Sequence, residues 1–274
     1  MGFERCNFDA ADVAPFTEEE LLNASGTMKN RKSRGPDGIP VEVLKIVAGV
    51  APEVLLNMFN SCLMEGTFHQ SWKQQKLVLI AKKKDGDPQL PSSYRPLCML
   101  DTAGKLYEKL LRARLRESVD NAGGLHDRQF GFRIGRSTVG AVCDILNTFF
   151  ETQRVNSYSR PIVALVTLDV RNAFNTASWS EIMLALERDF STPAYLLATI
   201  SDYLNDRTIL YDTSEGRRSR KMYCGVAQGS VLGPELWNIF YDGIFRLRIL
   251  IWWVMPMILL LLSKQKMFTG FRLG

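Results

Sequence analysis

The run PIVALVTLDV, residues 161–170, is apolar or β-branched at nearly every position until it reaches Asp169. A short, continuous apolar run of this kind is typical of a strand that is buried on both faces. Helix-like and strand-like segments alternate on either side of it. The sequence therefore predicts an α/β or α+β fold with this run as a central strand.

Asp169 stands where that strand ends, and the residues after it read VRNAFNTASW. Carboxylate and main-chain carbonyl oxygens are the ligands that Mg²⁺ prefers in proteins. The position is therefore a candidate metal site. An aspartate after a strand is more often the N-cap of a helix, so the position alone decides nothing.

A second segment, CGVAQGSVLGPELWN at residues 224–238, places Gly225, Gly229 and Gly233 four residues apart around Gln228. Glycine lets a backbone approach a ligand closely, because it has no Cβ atom. Taken alone, the segment equally predicts a glycine loop that joins a strand to a helix.

The chain has a formal charge of +5, and its 23% of charged residues is ordinary for a globular protein. The basic residues are clustered, at 29–34, 82–84, 105–116 and 217–221. Several phosphates contacted along a groove would suit this spacing. For any single cluster, a solvated surface face is an equally good explanation.

Local patterns predict the remaining elements. Thr17, with Glu20 three residues later, predicts a helix start, and the Gly/Pro-rich segment 31–40 predicts a loop. Hydrophobic periodicity predicts helices at 41–66, 103–119, 138–153, 178–190, 192–207 and 233–247. Strands are predicted at 77–83, 207–214 and 220–226, with a basic turn between the last two and a turn-rich loop at 83–96.

The five cysteines lie far apart, are odd in number and form no CxxC pair. This spacing argues against a disulfide framework and against a zinc site. It predicts a reducing compartment, the nucleus or the cytoplasm. No apolar signal-peptide core is visible near the N-terminus, so secretion is not expected.

Five blocks follow one another along the chain: RKSRGPDGIPVEVLK (31–45), LVLIAKKKDGDPQLPSSYRPLCMLDTAGKLYEKLLRARL (77–115), LHDRQFGFRIGRSTVGAV (125–142), LDVRNAFNTASW (168–179) and GVAQGSVLGPELWN (225–238). In this order they resemble the reverse transcriptases of non-LTR retrotransposons. The stretches YLNDRTILYD and LWNIFYDGI resemble those of insect elements. Because the blocks span roughly residues 29–247, the resemblance is specific.

The resemblance implies a right-hand polymerase fold of the α+β class, with fingers and palm, an antiparallel palm sheet flanked by helices, and no thumb. It divides the chain into an N-terminal extension at 1–28, mainly fingers with the fingers–palm connection at 29–160, palm with interleaved fingers helices at 161–248, and a non-native apolar tail at 249–274.

The first palm motif, carried onto this sequence, implies that Asp169 is a catalytic, metal-binding carboxylate and that the carbonyl of Val170 helps to hold Mg²⁺. Phe174 would be the steric gate that packs under the sugar and excludes a 2′-OH, the group that distinguishes RNA from DNA precursors. An RNA template, a DNA primer and dNTP are the implied partners. Neither a membrane nor a specific protein partner is expected.

Four further residues are implied to bind the nucleotide. Gln228 and Gly229 would line its pocket. Lys82 and Arg95 would grip the triphosphate from the fingers, the arginine as a fork and the lysine as a point charge. The two lysines that follow Lys82 compete with it for this role.

Arg133 and Arg136 are implied to face the backbone of the template or the primer. The sequence departs from the family pattern at two positions. Asn175 stands where an aspartate usually follows the gate aromatic, and Ala227 stands where a proline usually precedes the glutamine. Either change could lower activity without abolishing it.

The family's third palm motif, a Tyr or another aromatic followed by Ala-Asp-Asp, is missing. The sequence contains no Asp-Asp pair, and neither Asp nor Glu follows Asp242. Because one carboxylate cannot position two metal ions, the chain is expected to be a truncated and inactive polymerase. Two alternatives stay open: a non-catalytic remnant that binds RNA or DNA, and a pseudogene product.

The tail suggests what became of that motif. ILIWWVMPMILLLL, residues 249–262, is 14 apolar residues, short for a membrane span. Trp and Met have single codons, so the bases for residues 252–258 can be recovered in part. Read two bases later, they encode Val-Gly-Tyr-Ala-Asp-Asp; the code forces Val, Gly, Ala and the last Asp, and allows the other two. The tail is therefore interpreted as a frameshifted reading that packs poorly, with the slip at about residues 248–252.

Overall fold

The computed structural model of the protein describes residues 7–82, 87, 89–156, 162–170, 172–246, 251–255 and 258–265; at 162–169, 251–255 and 258–265 it describes the backbone alone. The chain divides into two compact units. The first unit comprises Met1–Gly124 and Phe174–Trp237, and the second comprises Leu125–Ala173 and Asn238–Gly274.

Helices and strands are mixed along the chain, which confirms the expected α+β class. The helices are α1 Glu18–Gly26, α2 Val41–Val50, α3 Pro52–Met64, α4 Thr102–Asn121, α5 Thr138–Gln153, α6 Ala173–Thr176, α7 Trp179–Arg188, α8 Ala194–Leu204 and α9 Gly233–Asp242. The strands are β1 Gln74–Ala81, β2 Tyr94–Met99, β3 Ile162–Asp169, β4 Thr208–Thr213, β5 Gly216–Lys221, β6 Ile251–Met255 and β7 Ile258–Gln265.

Helix ends follow local chemistry. The Thr17 hydroxyl accepts a hydrogen bond from the N–H of Glu20 at 3.2 Å, and the Glu20 carboxylate accepts one from the N–H of Thr17 at 2.8 Å, which confirms the predicted helix start. The helical periodicity predicted at 41–66 is confirmed, as two helices. Pro52 has no N–H with which to continue α2, so it begins α3 instead.

The helix predicted at 233–247 is too long. It ends at Asp242, and a 3₁₀ turn covers Gly243–Arg246. Glycine is a poor residue for continuing an α-helix, because it loses more backbone entropy than any other residue.

The first unit contains a four-stranded sheet in the order β2-β1-β4-β5. Neighbours are antiparallel except β1 and β4, which are parallel. The predicted loop at 83–96 is wrong at its end, because Tyr94, Arg95 and Pro96 are the first residues of β2. Pro96 is compatible with a strand because β2 lies at the sheet edge, where a missing N–H removes no hydrogen bond to a neighbouring strand.

The strand predicted at 220–226 is displaced. The observed β5 begins at Gly216, directly after a two-residue turn, and all six of its residues are exposed. Arg217 and Arg218, predicted to lie in the turn, are therefore strand residues. A fully exposed strand carries no hydrophobic alternation, so pairing with β4 fixes its register and the sequence pattern does not.

The core of the first unit is aromatic and surrounds Tyr107 on α4. The Tyr107 ring stacks on Phe59 with 5.4 Å between centroids, and it lies 5.6 Å from both Phe68 and Trp72. Phe16 meets the same ring edge-on at 6.1 Å. Aromatic pairs of this kind each contribute about 0.5–1.5 kcal/mol beyond the area they bury. This cluster therefore joins the N-terminal segment to α3 and α4.

The helix α4 confirms the prediction of an amphipathic helix at 103–119. Leu106, Leu110 and Leu111 are almost completely buried, as the pattern predicts.

In the part of the chain that the structure describes, no helix is both long enough and apolar enough to cross a membrane.

The second unit contains an antiparallel sheet in the order β3-β7-β6, which agrees with the expected palm sheet. Its register pairs Asp169 with Ile258, and Ile258 also pairs with Met255 on β6. Two strands of this sheet therefore come from the tail at 249–274. How the tail's side chains pack stays a prediction, because only its backbone is described.

Gly104 offers a test of the packing between α4 and the aromatic core. An added Cβ atom there would lie 2.8 Å from the Cβ of Trp72 and 3.0 Å from its Cγ. Alanine favours a helix by up to about 1 kcal/mol, whereas forced overlap in a core costs about 1–3 kcal/mol. We expect Gly104→Ala to lower the free energy of unfolding, measured in urea, by about 1–2 kcal/mol.

Gly49 on α2 provides the matched control. No described atom lies within 4 Å of a Cβ built at Gly49. Gly49→Ala should therefore leave the free energy of unfolding unchanged or raise it by up to about 1 kcal/mol. Equal changes at the two glycines would contradict the close contact between Gly104 and Trp72.

Candidate functional site

The β1–β2 hairpin carries two predicted nucleotide-binding cations at one end. Ile80 pairs with Arg95, and the N–H of Lys82 donates to the carbonyl of Ser93 at 2.8 Å, so the ladder continues past β1. Paired residues and residues two apart share a face of a sheet. Lys82 and Arg95 therefore lie on the same face, and both side chains are exposed.

The glycine loop at 225–230 is bonded to the segment that contains Phe174. The N–H of Val226 donates to the carbonyl of Phe174, and the N–H of Gly225 donates to the carbonyl of Ala177, both at 2.7 Å. Gly225 has a φ of +84°, and a Cβ atom there would lie 2.7 Å from the carbonyl oxygen of Asn175. Only glycine fits this approach.

The same loop runs along the outer edge of β2. The N–H of Cys98 donates to the carbonyl of Gln228 at 2.9 Å. Gly229 has a φ of +123°, and a Cβ atom there would lie 2.7 Å from the carbonyl oxygen of Cys98. The structure thus brings Gln228 and Gly229 to the strand that begins with Tyr94 and Arg95.

Phe174 packs against Trp237, a residue of α9. Its ring lies 5.7 Å from that of Trp237, at an interplanar angle of 59°. Trp237 is only 2% exposed, so a buried indole limits how far the Phe174 ring can move. A second indole contacts the glycine loop, because the N–H of Trp179 donates to the carbonyl of Gly225 at 2.7 Å.

Glu108 on α4 is a residue that the sequence analysis missed. It is 1% exposed, and one of its carboxylate oxygens accepts hydrogen bonds from the N–H groups of Val231 and Leu232, at 2.6 and 2.9 Å. These groups lie just before α9, where backbone N–H groups have no partner within the helix. Glu108 therefore fixes the end of the glycine loop. The sequence feature that could have revealed Glu108 is its position, because it is a charged residue between Leu106 and Leu110 on the buried side of α4.

A second buried charge lies near Glu108. Arg207 is 1% exposed; its Nη1 donates to the carbonyl of Tyr203 at 3.0 Å, and its guanidinium lies 4.4 Å from the centre of the Tyr203 ring. Burial raises the pKa of the Glu108 carboxyl. The positive charge of Arg207 and the two N–H donors act in the opposite direction, because they stabilise the carboxylate.

The predicted metal ligands belong to the second unit. Asp169 is the last residue of β3, and Val170 is half-buried. The strand position paired with Asp169 is the apolar Ile258, and neither Asp nor Glu follows Asp242 in the sequence. Among the described residues, no three His, Cys, Asp or Glu side chains are grouped so that they could hold a metal ion. The residues present do not fit a site for two Mg²⁺ ions, which requires several oxygen ligands.

The predicted nucleic-acid contacts, Arg133 and Arg136, lie in the loop before α5. Arg136 forms an ion pair with Asp127 at 3.0 Å and lies over the ring of Phe130. Arg133 donates to the main-chain carbonyls of Leu125, His126 and Gln129. These bonds stabilise the loop, and a role in binding nucleic acid stays a prediction.

A family model described as reverse transcriptase (RNA-dependent DNA polymerase) matches residues 80–253. The chain belongs to the reverse transcriptase family. The matched residues include β2, α4, β3 and the glycine loop. The resemblance found in the sequence blocks is thereby confirmed.

The curated relatives of this chain include proteins of insect retrotransposons. It is 30% identical over 237 residues to the retrovirus-related Pol polyprotein of the type-1 retrotransposable element R1 of Bradysia coprophila, covering 86% of this chain and 23% of that protein. It is 29% identical over 229 residues to the RNA-directed DNA polymerase of the mobile element jockey of Drosophila melanogaster, covering 83% and 24%. The chain thus spans about a quarter of the length of these relatives.

Solved telomerases share the fold of this chain. Telomerase of Candida tropicalis in complex with a fragment of telomeric RNA superposes with a TM-score of 0.53 at 12% identity, covering 80% of this chain and 40% of the telomerase chain. The apo enzyme from the same species gives 0.52 at 14% identity, over 71% and 44%. The likeness shows that the expected right-hand polymerase fold is correct.

Glu108 gives a direct test of how the glycine loop is held. Glu108→Ala leaves two buried N–H groups without an acceptor and removes the charge that faces Arg207, so we expect the free energy of unfolding to fall by about 2–5 kcal/mol. Glu108→Gln retains an acceptor oxygen and should cost less. Chemical denaturation of both variants measures the difference.

The control is Glu117→Ala, the same substitution on the exposed side of the same helix. It should change the free energy of unfolding by no more than about 0.5 kcal/mol. A Glu108→Ala protein as stable as Glu117→Ala would show that Val231 and Leu232 do not depend on the Glu108 carboxylate.

Proposed function

We propose that this chain is the nucleotide-binding part of a non-LTR retrotransposon reverse transcriptase, an RNA-directed DNA polymerase whose partners are an RNA template, a DNA primer and dNTP. The single observation that carries the proposal is the glycine loop, bonded to Phe174 on one side and to the edge of β2 on the other. The family match and the insect relatives support it.

In this proposal, Arg95 and Lys82 bind the triphosphate. Both are exposed at one end of the same hairpin face, so one polyphosphate can meet both. Arginine presents paired N–H donors to phosphate oxygens, and lysine adds a point charge. Gln228 and Gly229, alongside β2, then line the nucleotide pocket.

Phe174 would discriminate against ribonucleotides. A bulky ring under the sugar leaves no space for a 2′-OH, the group that distinguishes the two kinds of nucleotide. The buried contact with Trp237 supports this role, because a gate must resist displacement. Arg133 and Arg136 would lie along the template or primer backbone, where cations neutralise phosphates.

The chain would not polymerise. Mg²⁺ ions, held by carboxylates, supply the charge that stabilises phosphoryl transfer. Asp169, helped by the carbonyl of Val170, would be one ligand, whereas two Mg²⁺ ions need several carboxylate ligands. We therefore assign no catalytic step to this chain. The missing carboxylates also favour a second candidate, a remnant that binds RNA or DNA without catalysis.

The missing ligands would lie in another reading frame of the gene. The family match ends at residue 253, inside the tail. The shifted Asp-Asp codons overlap those of residues 256–258, and Ile258 is the strand partner of Asp169. Both observations support a frameshift that replaced the carboxylate hairpin with an apolar one.

Primer extension tests the assignment of function. We expect no Mg²⁺-dependent incorporation of dNTP on an RNA template by the unmodified chain. Replacing residues 253–258 with Val-Gly-Tyr-Ala-Asp-Asp should produce measurable incorporation, because it supplies carboxylates opposite Asp169. The matched control places Val-Gly-Tyr-Ala-Asn-Asn at the same six positions and should be inactive. Incorporation by the unmodified chain would contradict the expected inactivity, whereas equal inactivity of all three proteins would count against the assignment.

The gene sequence tests the frameshift separately. The shifted reading requires the codon of Val254 to be GTT and that of Pro256 to be CCG, because only these encode Tyr and the first Asp in the shifted frame. We expect both codons in the genomic locus. Any other codon at either position would rule out the frameshift without affecting the family assignment.

A further inference from the structure

The sheet of the first unit has one face that collects positive charge. Its continuous register puts five cations on this face, which we call the basic face: Lys76, Lys82, Arg95, Arg217 and Lys221. The assignment follows from the pairing of strands, because directly paired residues and residues two apart point to the same side. The basic face thus crosses all four strands, from β2 to the edge strand β5.

Ion pairs agree with this register. Asp212 on β4 bonds Lys76 at 3.0 Å and Arg217 at 3.2 Å, which requires all three side chains to share a face. Lys76 and Arg217 together lower the pKa of the Asp212 carboxyl, so it is ionised at neutral pH. Lys221 bonds Asp206, in the turn before β4, at 3.3 Å. Among the described residues, these ion pairs thus join three of the five cations to two carboxylates.

These ion pairs can be exchanged for others. The side chains of Lys76, Asp212, Arg217 and Lys221 are 41–63% exposed. Ion pairs at such exposed positions contribute only about 0–1 kcal/mol each. A phosphate can therefore replace a carboxylate at little cost.

Apolar side chains lie between the cations. Val78 and Ile80, between Lys76 and Lys82 on the same strand and the same face, are 36% and 48% exposed. Open sheet faces are known platforms for single-stranded RNA, whose unstacked bases lie on the sheet while cations contact the backbone. No position on this face, across the four described strands, is aromatic, so binding should tolerate different sequences.

We propose that the basic face binds the backbone of a single-stranded RNA, with Lys76, Arg217 and Lys221 as phosphate contacts additional to the nucleotide-binding Lys82 and Arg95. The proposal rests on the proposed polymerase function only in identifying that strand as the template. Strands lie about 4.8 Å apart, so the cations are spread over about 15 Å across the sheet. A strand with one phosphate per nucleotide can meet several of them at once.

The strand β5 provides a matched pair of variants. Arg217 and Lys221 lie on the basic face, whereas Arg218 and Arg220 lie on the opposite face of the same exposed strand. Arg217→Gln with Lys221→Gln, and Arg218→Gln with Arg220→Gln, remove the same charge from the same six residues. All four positions are exposed, so both double variants should fold, and a thermal melt checks this.

The experiment measures binding of the full chain to a labelled 20-nucleotide single-stranded RNA over a series of salt concentrations, without metal or dNTP. Each phosphate contact contributes about 0.7 to the slope of log binding constant against log salt. The basic-face double variant should reduce that slope by about 1.4 and weaken binding about tenfold at low salt. The opposite-face variant should match the unmodified chain.

A third variant changes the charge in the other direction. Asp212→Asn removes the carboxylate that competes with phosphate for Lys76 and Arg217, so it should tighten RNA binding several-fold. Equal losses from the two double variants, or none from either, would overturn the proposal. So would displacement of the RNA by polyglutamate at equal charge concentration, which would point to an acidic protein instead. Because the assay contains neither metal nor dNTP, none of these outcomes bears on the polymerase assignment.

Discussion

Two backbone N–H groups, those of Val231 and Leu232, lie just before α9 and are satisfied by one buried carboxylate, that of Glu108. Burying the start of a helix requires acceptors for its backbone N–H groups. Each N–H that loses its hydrogen bonds to water without gaining a new acceptor destabilises the fold by its desolvation penalty. The glycine loop depends on this anchor. With its end fixed at α4, the loop can meet the edge of β2 and the carbonyl of Phe174, and three distant segments form one site.

In the proposed function, the small number of oxygen ligands limits the chemistry of the chain. A strand end delivers Asp169, but the strand paired beside it presents Ile258, and no carboxylate follows Asp242. In the proposed function, binding of a nucleotide is therefore separate from catalysis. The cations, glycines and aromatic residues that would hold a nucleotide or a strand are present, whereas the ligands that would hold two Mg²⁺ ions are not.

Local signals in the sequence predict the fold well where the structure is itself local. The capping box of Thr17 and Glu20 and the amphipathic pattern of α4 depend on residues three or four apart, and both are observed. The pattern fails at β5 and at the start of β2, where Pro96 and a run of exposed arginines resemble a turn. Both are edge strands, whose positions depend on pairing with a neighbour and not on burial.

The sequence by itself determined the family and the fold class, because ordered motifs encode these without reference to distant contacts; the roles of the candidate site residues stay predictions. It also shows that neither Asp nor Glu follows Asp242. Only the tertiary structure decided that Glu108 anchors the glycine loop, since its acceptor role depends on N–H groups more than 120 residues away. Only the strand register separated Arg217 and Lys221 from Arg218 and Arg220, because adjacent residues of a strand face opposite sides.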